Sequence, residues 1–191
     1  MTGRFLRLLL IAATCLVSAR SISAQQSVTL YSPRNKEMKS YDDSRALFSF
    51  IYAVRGREAK ETTGGVWDLS YGNLLIDNED WFEIILGEDG RSVIKDLGAL
   101  SWSDSFSVPV LTPLPELAPG QQRAIGVDAS ADTHKQWAAT NGVFAKAVAG
   151  HIYAIHVKRV GTDLYFLFRV DHLEQQDNCV ISWKQIPAPE R

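Results

Sequence analysis

Residues 150–170 read GHIYAIHVKRVGTDLYFLFRV. Two apolar runs rich in aromatic and β-branched residues flank the turn-formers Gly161 and Asp163, which predicts a β-hairpin. NCVISWKQI (178–186) follows beyond the polar DHLEQQDN, so the whole reads as three consecutive antiparallel strands, a meander. Side chains alternate between the two faces of a strand. His151, Tyr153, Ile155 and Val157 therefore share one face, and Ile152, Ala154, His156 and Lys158 share the other. Histidines five apart point to opposite sides, so His151 and His156 cannot ligate one ion while the strand stays regular. Cys179, Ile181 and Trp183 also share a face, which predicts a buried, unreactive thiol.

Upstream the same reading continues. SVTLYS (27–32), RALFSFIYAV (45–54), VWDLSY (66–71), NLLID (73–77) and DWFEIIL (80–86) are predicted strands, by aromatic and β-branched content. GEDG (87–90) places glycines on both sides of an acidic pair and predicts a hairpin leading into RSVIKDLG. SFSVPV (105–110) is a strand candidate weakened by Pro109. The run 109–119 holds four prolines, which remove backbone donors and fix φ, so it is expected to be an extended connector. QRAIGV is a further strand candidate. DASADTHKQWAAT (128–140) is the one expected helix, opened by Asp or Ser caps and stopped at Asn141-Gly142.

The N-terminus carries its own signal. Arg4 and Arg7 precede the apolar run LLLIAATCLVSA (8–19), and small residues follow in ARSISA. This is the layout of a secretory signal peptide, with cleavage expected after Ala24; the run is too short for a membrane span, which needs about 20 apolar residues. Cys15 does not make a lipid-attachment site, because Thr14 stands where a small Gly, Ala or Ser belongs. Loss of residues 1–24 removes Arg4, Arg7 and Arg20 and no acid, so 20 basic and 22 acidic residues become 17 and 22, a balance of −5. No basic block survives, which argues against nucleic acid or an anionic membrane as partner. Cys179 is then the lone cysteine, and a domain of this size needs no disulfide to bury a core.

Motifs that carry chemistry are few. Asp77, Glu79, Asp80 and Glu83 gather in DNEDWFE, but the 12-residue calcium loop with its central glycine is absent. There is no G-x-S-x-G, no glycine-rich phosphate loop, and no metal spacing around His134 or His172. Trp67, Trp81, Trp102, Trp137 and Trp183 are the remaining handle, since tryptophan offers a large apolar face with a polar edge.

The order LFSFIYAV, VWDLSYGNLLI, then GHIYAIHV, a turn and LYFLFRV is similar to that of exported HmuY-type haem-binding β-proteins. Those pair a Trp-Asp strand, here Trp67 and Asp68, with a late aromatic hairpin. The resemblance covers half of the exported chain and implies a β fold. Haem comes with it by analogy alone, because no position here matches that family's haem-ligating histidines.

These features predict an exported, mainly β, single domain spanning 27–186. Its antiparallel sheets end in the three-stranded meander, with at most one short helix and a Pro-rich connector at 109–120. The expected role is a non-enzymatic binding or interaction module of the bacterial cell envelope, secreted or periplasmic. Its expected partner is an envelope protein or an unidentified ligand. No catalytic residue, metal ligand, cofactor or membrane span is assigned to the exported chain, and the contact surface is placed on Trp67, Asp68, Tyr71, Trp81 and Trp102. Two other readings stand beside it. A haem or metal carrier needs two histidines to converge, and a hydrolase of extracellular polymer needs two facing carboxylates roughly 5–10 Å apart.

Overall fold

The computed structural model describes residues 25–35, 43–56, 67–72, 79–86, 90–118 and 142–190. The protein is mainly β, built from two antiparallel sheets. The strands are β1 (Gln26–Tyr31), β2 (Leu47–Ser49), β3 (Val54–Arg55), β4 (Leu69–Gly72) and β5 (Trp81–Ile84). They continue with β6 (Val93–Ala99), β7 (Phe144–Lys146), β8 (His151–Arg159), β9 (Thr162–Glu174) and β10 (Asn178–Ile186), and a 3-10 turn, Asp43–Ala46, precedes β2. One sheet has the order β1-β10-β9-β8-β6 and the other β3-β2-β4-β5-β7. The first is the longer and holds the meander β8-β9-β10. A two-residue loop, Val160-Gly161, sets its register, so that Arg159 pairs Thr162, Lys158 pairs Asp163 and His156 pairs Tyr165. Gly161 takes φ of 73°, a left-handed conformation that suits glycine.

The sheets face each other across an aromatic core. Phe82 of the short sheet lies 5.0 Å from Phe168 and 5.2 Å from Tyr153 of the long one, both edge to face. Phe50 stacks on Phe166 at 5.3 Å and Phe48 meets Trp183 at 5.6 Å. Such pairs add roughly 0.5–1.5 kcal/mol each beyond the area they bury. Cys179 is completely buried in this core, and burial raises its thiol far above the usual range.

Both open sides of the sandwich are closed by specific contacts. On one, the backbone at 142–143 bridges the sheets: Ile94 N–H donates to the Gly142 carbonyl and Ile84 N–H to the Val143 carbonyl. On the other, Arg55 of β3 donates to the Thr29 carbonyl of edge strand β1, and the Arg45 guanidinium lies 3.7 Å above the Tyr31 ring. Filling the free backbone groups of an edge strand with arginine blunts pairing with other chains.

Several expected elements differ from the structure. RALFSFIYAV is not one strand. It starts in the 3-10 turn, runs through β2, turns at 50–53 and returns as β3, which pairs with β2. GEDG does not join a hairpin, because β5 pairs with β4 and β7 while β6 lies in the other sheet beside β8. Ahead of the hairpin the chain changes sheets: β7 belongs to the short sheet and β8 to the long one. The corner between them is held by Tyr153, whose hydroxyl donates to the Lys146 carbonyl at 2.7 Å and accepts from Val148 N–H at 2.9 Å. SFSVPV forms no strand. The expected strand at NLLID, the helix at 128–140, its stop at Asn141 and the QRAIGV strand lie outside the described residues, as does the leader.

The segment 100–118 lies as a strap over the outer face of the long sheet. Leu100, Trp102, Phe106, Val108, Leu111 and Leu114 pack on Val93, Ile152, Ala154, Tyr165 and Leu167 and make a second, smaller core. The outer face of β8 and β9 is apolar because the strap covers it, which is why HIYAIHV is hydrophobic on both sides.

Candidate functional site

Two buried aspartates stand at opposite ends of the β4–β5 hairpin, and each ties one end of the sandwich together. Asp68, at the entry to β4, is 2% exposed. Its Oδ2 accepts from Phe50 N–H at 2.8 Å and Ser49 Oγ at 3.1 Å, with Ile51 N–H at the margin, 3.5 Å. These donors are the backbone of the β2–β3 turn, so the carboxylate makes LFSFIYAV bend where its aromatic pattern alone would have run straight. Arg159, the last residue of β8, places Nη1 3.1 Å from Asp68 Oδ1 in an ionic contact without hydrogen-bond alignment. Burial raises the Asp68 pKa, opposed by Arg159 and then by the hydrogen bonds from Ser49, Phe50 and Ile51.

Asp80, just before β5, is the counterpart at the other end. Its Oδ2 accepts from Tyr71 Oη at 2.9 Å and from Gln176 N–H at 2.8 Å in the β9–β10 turn. Gln176 has φ of 61°, and that buried acceptor helps to hold it there. Burial raises Asp80 and, more strongly, the Tyr71 phenol.

Each aspartate therefore pins a β-turn of the opposite sheet or strand pair. The Asp68 end differs in what it displays. Among the described residues, the exposed large hydrophobic side chains are Tyr52 (49%), Val160 (82%) and Val110 (42%). Tyr52 follows Ile51, and Val160 follows Arg159, both neighbours of Asp68. One buried carboxylate thus fixes two turns from different sheets, and each turn presents an apolar side chain to solvent. Ala53, beside Tyr52, has φ of 55°, strain that the Asp68 contacts hold in place.

The five residues expected to form a contact surface do not share one. Trp67 is half-buried at the approach to β4, and Asp68 is buried in the turn contacts just described. Tyr71 is fully buried and faces the core, 5.8 Å from Phe82. Trp81 is 4% exposed and belongs to the main core, its indole N–H without an acceptor among the described residues. Trp102 lies on the strap over the opposite sheet, donating Nε1–H to Ser182 Oγ at 3.0 Å beneath Lys184 Nζ, 4.5 Å from its ring.

The histidines occupy the two faces predicted for them. His151 binds Asp96 through Nδ1 at 2.9 Å. His156, on the outer face, is buried beneath the strap and bonds to the Leu111 carbonyl and Asp163. No group of three histidine, cysteine or acidic side chains suited to a metal ion occurs among the described residues. Of the acidic residues in DNEDWFE, Asp77 is outside the described residues and Glu79 pairs with Lys146. Glu83 pairs Ser70 across β4–β5, and burial alone raises its carboxyl to about 7.

Sequence reasoning passed over Ser49, Tyr52, Arg159 and Val160. The one available signal was register: a two-residue loop at Val160-Gly161 fixes Lys158 against Asp163 and His156 against Tyr165 by counting outward. The Asp68 contacts span 17 to 91 residues of sequence and left no local trace. Comparison with protein-family models, curated proteins and solved structures finds no match for this chain.

Proposed function

We propose that this chain is an exported, non-enzymatic binding module that docks a protein partner of the cell envelope with the Asp68 end of its sandwich. One observation carries the reading: Tyr52 and Val160, exposed apolar side chains, stand on two turns fixed to a single buried carboxylate. Turn tips are ordinarily polar, and an exposed tyrosine and an exposed valine on turns tied to the same carboxylate are the kind of side chains that anchor an interface. Pre-ordering both turns removes entropy that docking would otherwise cost. Asp68, Asp80 and Tyr71, whose titration burial displaces, each satisfy a contact of the fold, which accounts for them without a catalytic role.

The test is site-specific photo-crosslinking in cells that make the protein. A photoreactive side chain at position 52 or 160 is expected to give one discrete adduct of common mass, absent from positions 95 and 185 on other exposed surfaces. Equal labelling from all four positions, or none from 52 and 160, overturns the reading. Export belongs to the same proposal: the intact mass of the released protein is expected to begin at Gln25, and retention of residues 1–24 contradicts it.

A further inference from the structure

The strap is held at its middle by one imidazole. His156 lies on the outer face of β8, 5% exposed, with its ring stacked 4.1 Å from Tyr165. Its Nδ1 is 2.9 Å from the Leu111 carbonyl of the strap, and its Nε2 is 2.7 Å from Asp163 Oδ1. The Leu111 oxygen also accepts from Tyr165 Oη at 3.2 Å. A carbonyl oxygen can only accept. Asp163 is held below the ordinary carboxylate range by hydrogen bonds from Lys158 and His156, so it too accepts and has no proton to give. Both contacts are hydrogen bonds only when both ring nitrogens carry protons. A neutral ring has one N–H, and the other nitrogen then faces an acceptor lone pair to lone pair.

We propose that the His156–Leu111 contact is a proton-dependent latch: the imidazolium clamps the strap onto the long sheet, and loss of its proton loosens residues 108–112 from the apolar face beneath. The surroundings agree. From β8, Lys158 approaches through Asp163 rather than directly; from β9, Asp163 and Tyr165 face the ring; from β6, Val93 faces it, with Lys95 two residues further on. Beyond the latch, Arg91 donates Nε–H to the Leu114 carbonyl and pairs with Glu116, while Leu114 N–H donates to the Arg91 carbonyl. Those bonds do not depend on an imidazole, so they hinge the far end of the strap while its middle lifts. The uncovered face is Val93, Ile152, Ala154, Tyr165 and Leu167.

The direction with pH follows from the donors. The clamp is complete while both ring nitrogens carry protons and is lost as pH rises and the ring deprotonates. It also weakens in acid, as pH falls through the lowered Asp163 value.

Hydrogen exchange read by mass spectrometry, as protection factors corrected for intrinsic rates, tests the latch in the full exported chain. Protection over 108–112 is expected to fall by about tenfold or more between about pH 5.5 and about pH 9, as for loss of a hydrogen bond to a charged group, while Leu114 N–H, bonded to the Arg91 carbonyl, keeps its protection. Protection in β9 and β10 is expected to hold. His156→Gln, which cannot donate from both sides, is expected to give low strap protection at both pH values. Equal strap protection at the two pH values in the unsubstituted protein overturns the proposal, whether or not the variant folds. A pH response that survives His156→Gln overturns it as well.

Discussion

Replacing Asp68 by alanine separates the roles of one carboxylate. It leaves Phe50 N–H and the Ser49 hydroxyl, now bonded at 2.8 and 3.1 Å, without an acceptor in a buried site, and leaves Arg159 without its ionic partner. An unmatched buried donor costs about 1–3 kcal/mol, and breaking a buried ion pair by removing one side costs about 3–5 kcal/mol. Because Arg159 keeps 21% side-chain exposure and can be rehydrated, about 3–5 kcal/mol is expected in total rather than the sum. Asp68→Asn keeps a carbonyl oxygen for the two donors and removes a charge that burial already opposes, so its cost is expected near 1–2 kcal/mol. Urea unfolding of both variants at neutral pH measures the difference, and hydrogen exchange over 50–54 locates it. The account of the turn is wrong if alanine costs no more than asparagine, or if both stay within about 0.5 kcal/mol of the parent.

Glu83→Gln should stabilise the protein at alkaline pH and leave it unchanged in acid. The carboxyl holds its proton up to about 7 in the fold against an ordinary 4.5, so stability falls as pH rises through that interval. At about 1.4 kcal/mol per pH unit the effect reaches about 3 kcal/mol, and denaturant unfolding at pH 4 and pH 8.5 reads it. Tyr71→Phe should cost about 1–2 kcal/mol by removing one of the two donors to Asp80; differential scanning calorimetry that shows no loss would detach Tyr71 from that end of the sandwich. Added hemin at micromolar concentration is expected to give no Soret shift, because His151 and His156 lie on opposite faces and each is bound to protein acceptors.

The meander was readable because three long alternating runs with polar turns between them specify both pairing and register locally. LFSFIYAV was misread for the opposite reason: its bend is imposed by Asp68, 17 residues beyond Ile51, and nothing within the run marks it. GEDG signals a turn but not which sheet receives the next strand. The prolines at 109–115 agree with a stretch that joins no sheet, yet its seat on the outer face of the long sheet depends on His156, Tyr165 and Leu167, some fifty residues later. The tryptophans and tyrosines offered as a surface are mostly committed to cores because a two-sheet sandwich with a strap has three apolar faces to fill. Exposed Val160 was the least visible, since a valine in a turn carries no signal until its neighbour Arg159 is seen to be anchored.

On the proposed function, Tyr52 and Val160 act as one docking surface. Crosslinking from position 160, with and without Tyr52→Ser, tests it most directly. The adduct from position 160 is expected to fall severalfold when Tyr52 is replaced while the fold, checked by thermal unfolding, is unchanged. An adduct of undiminished yield would contradict a shared surface at the Asp68 end.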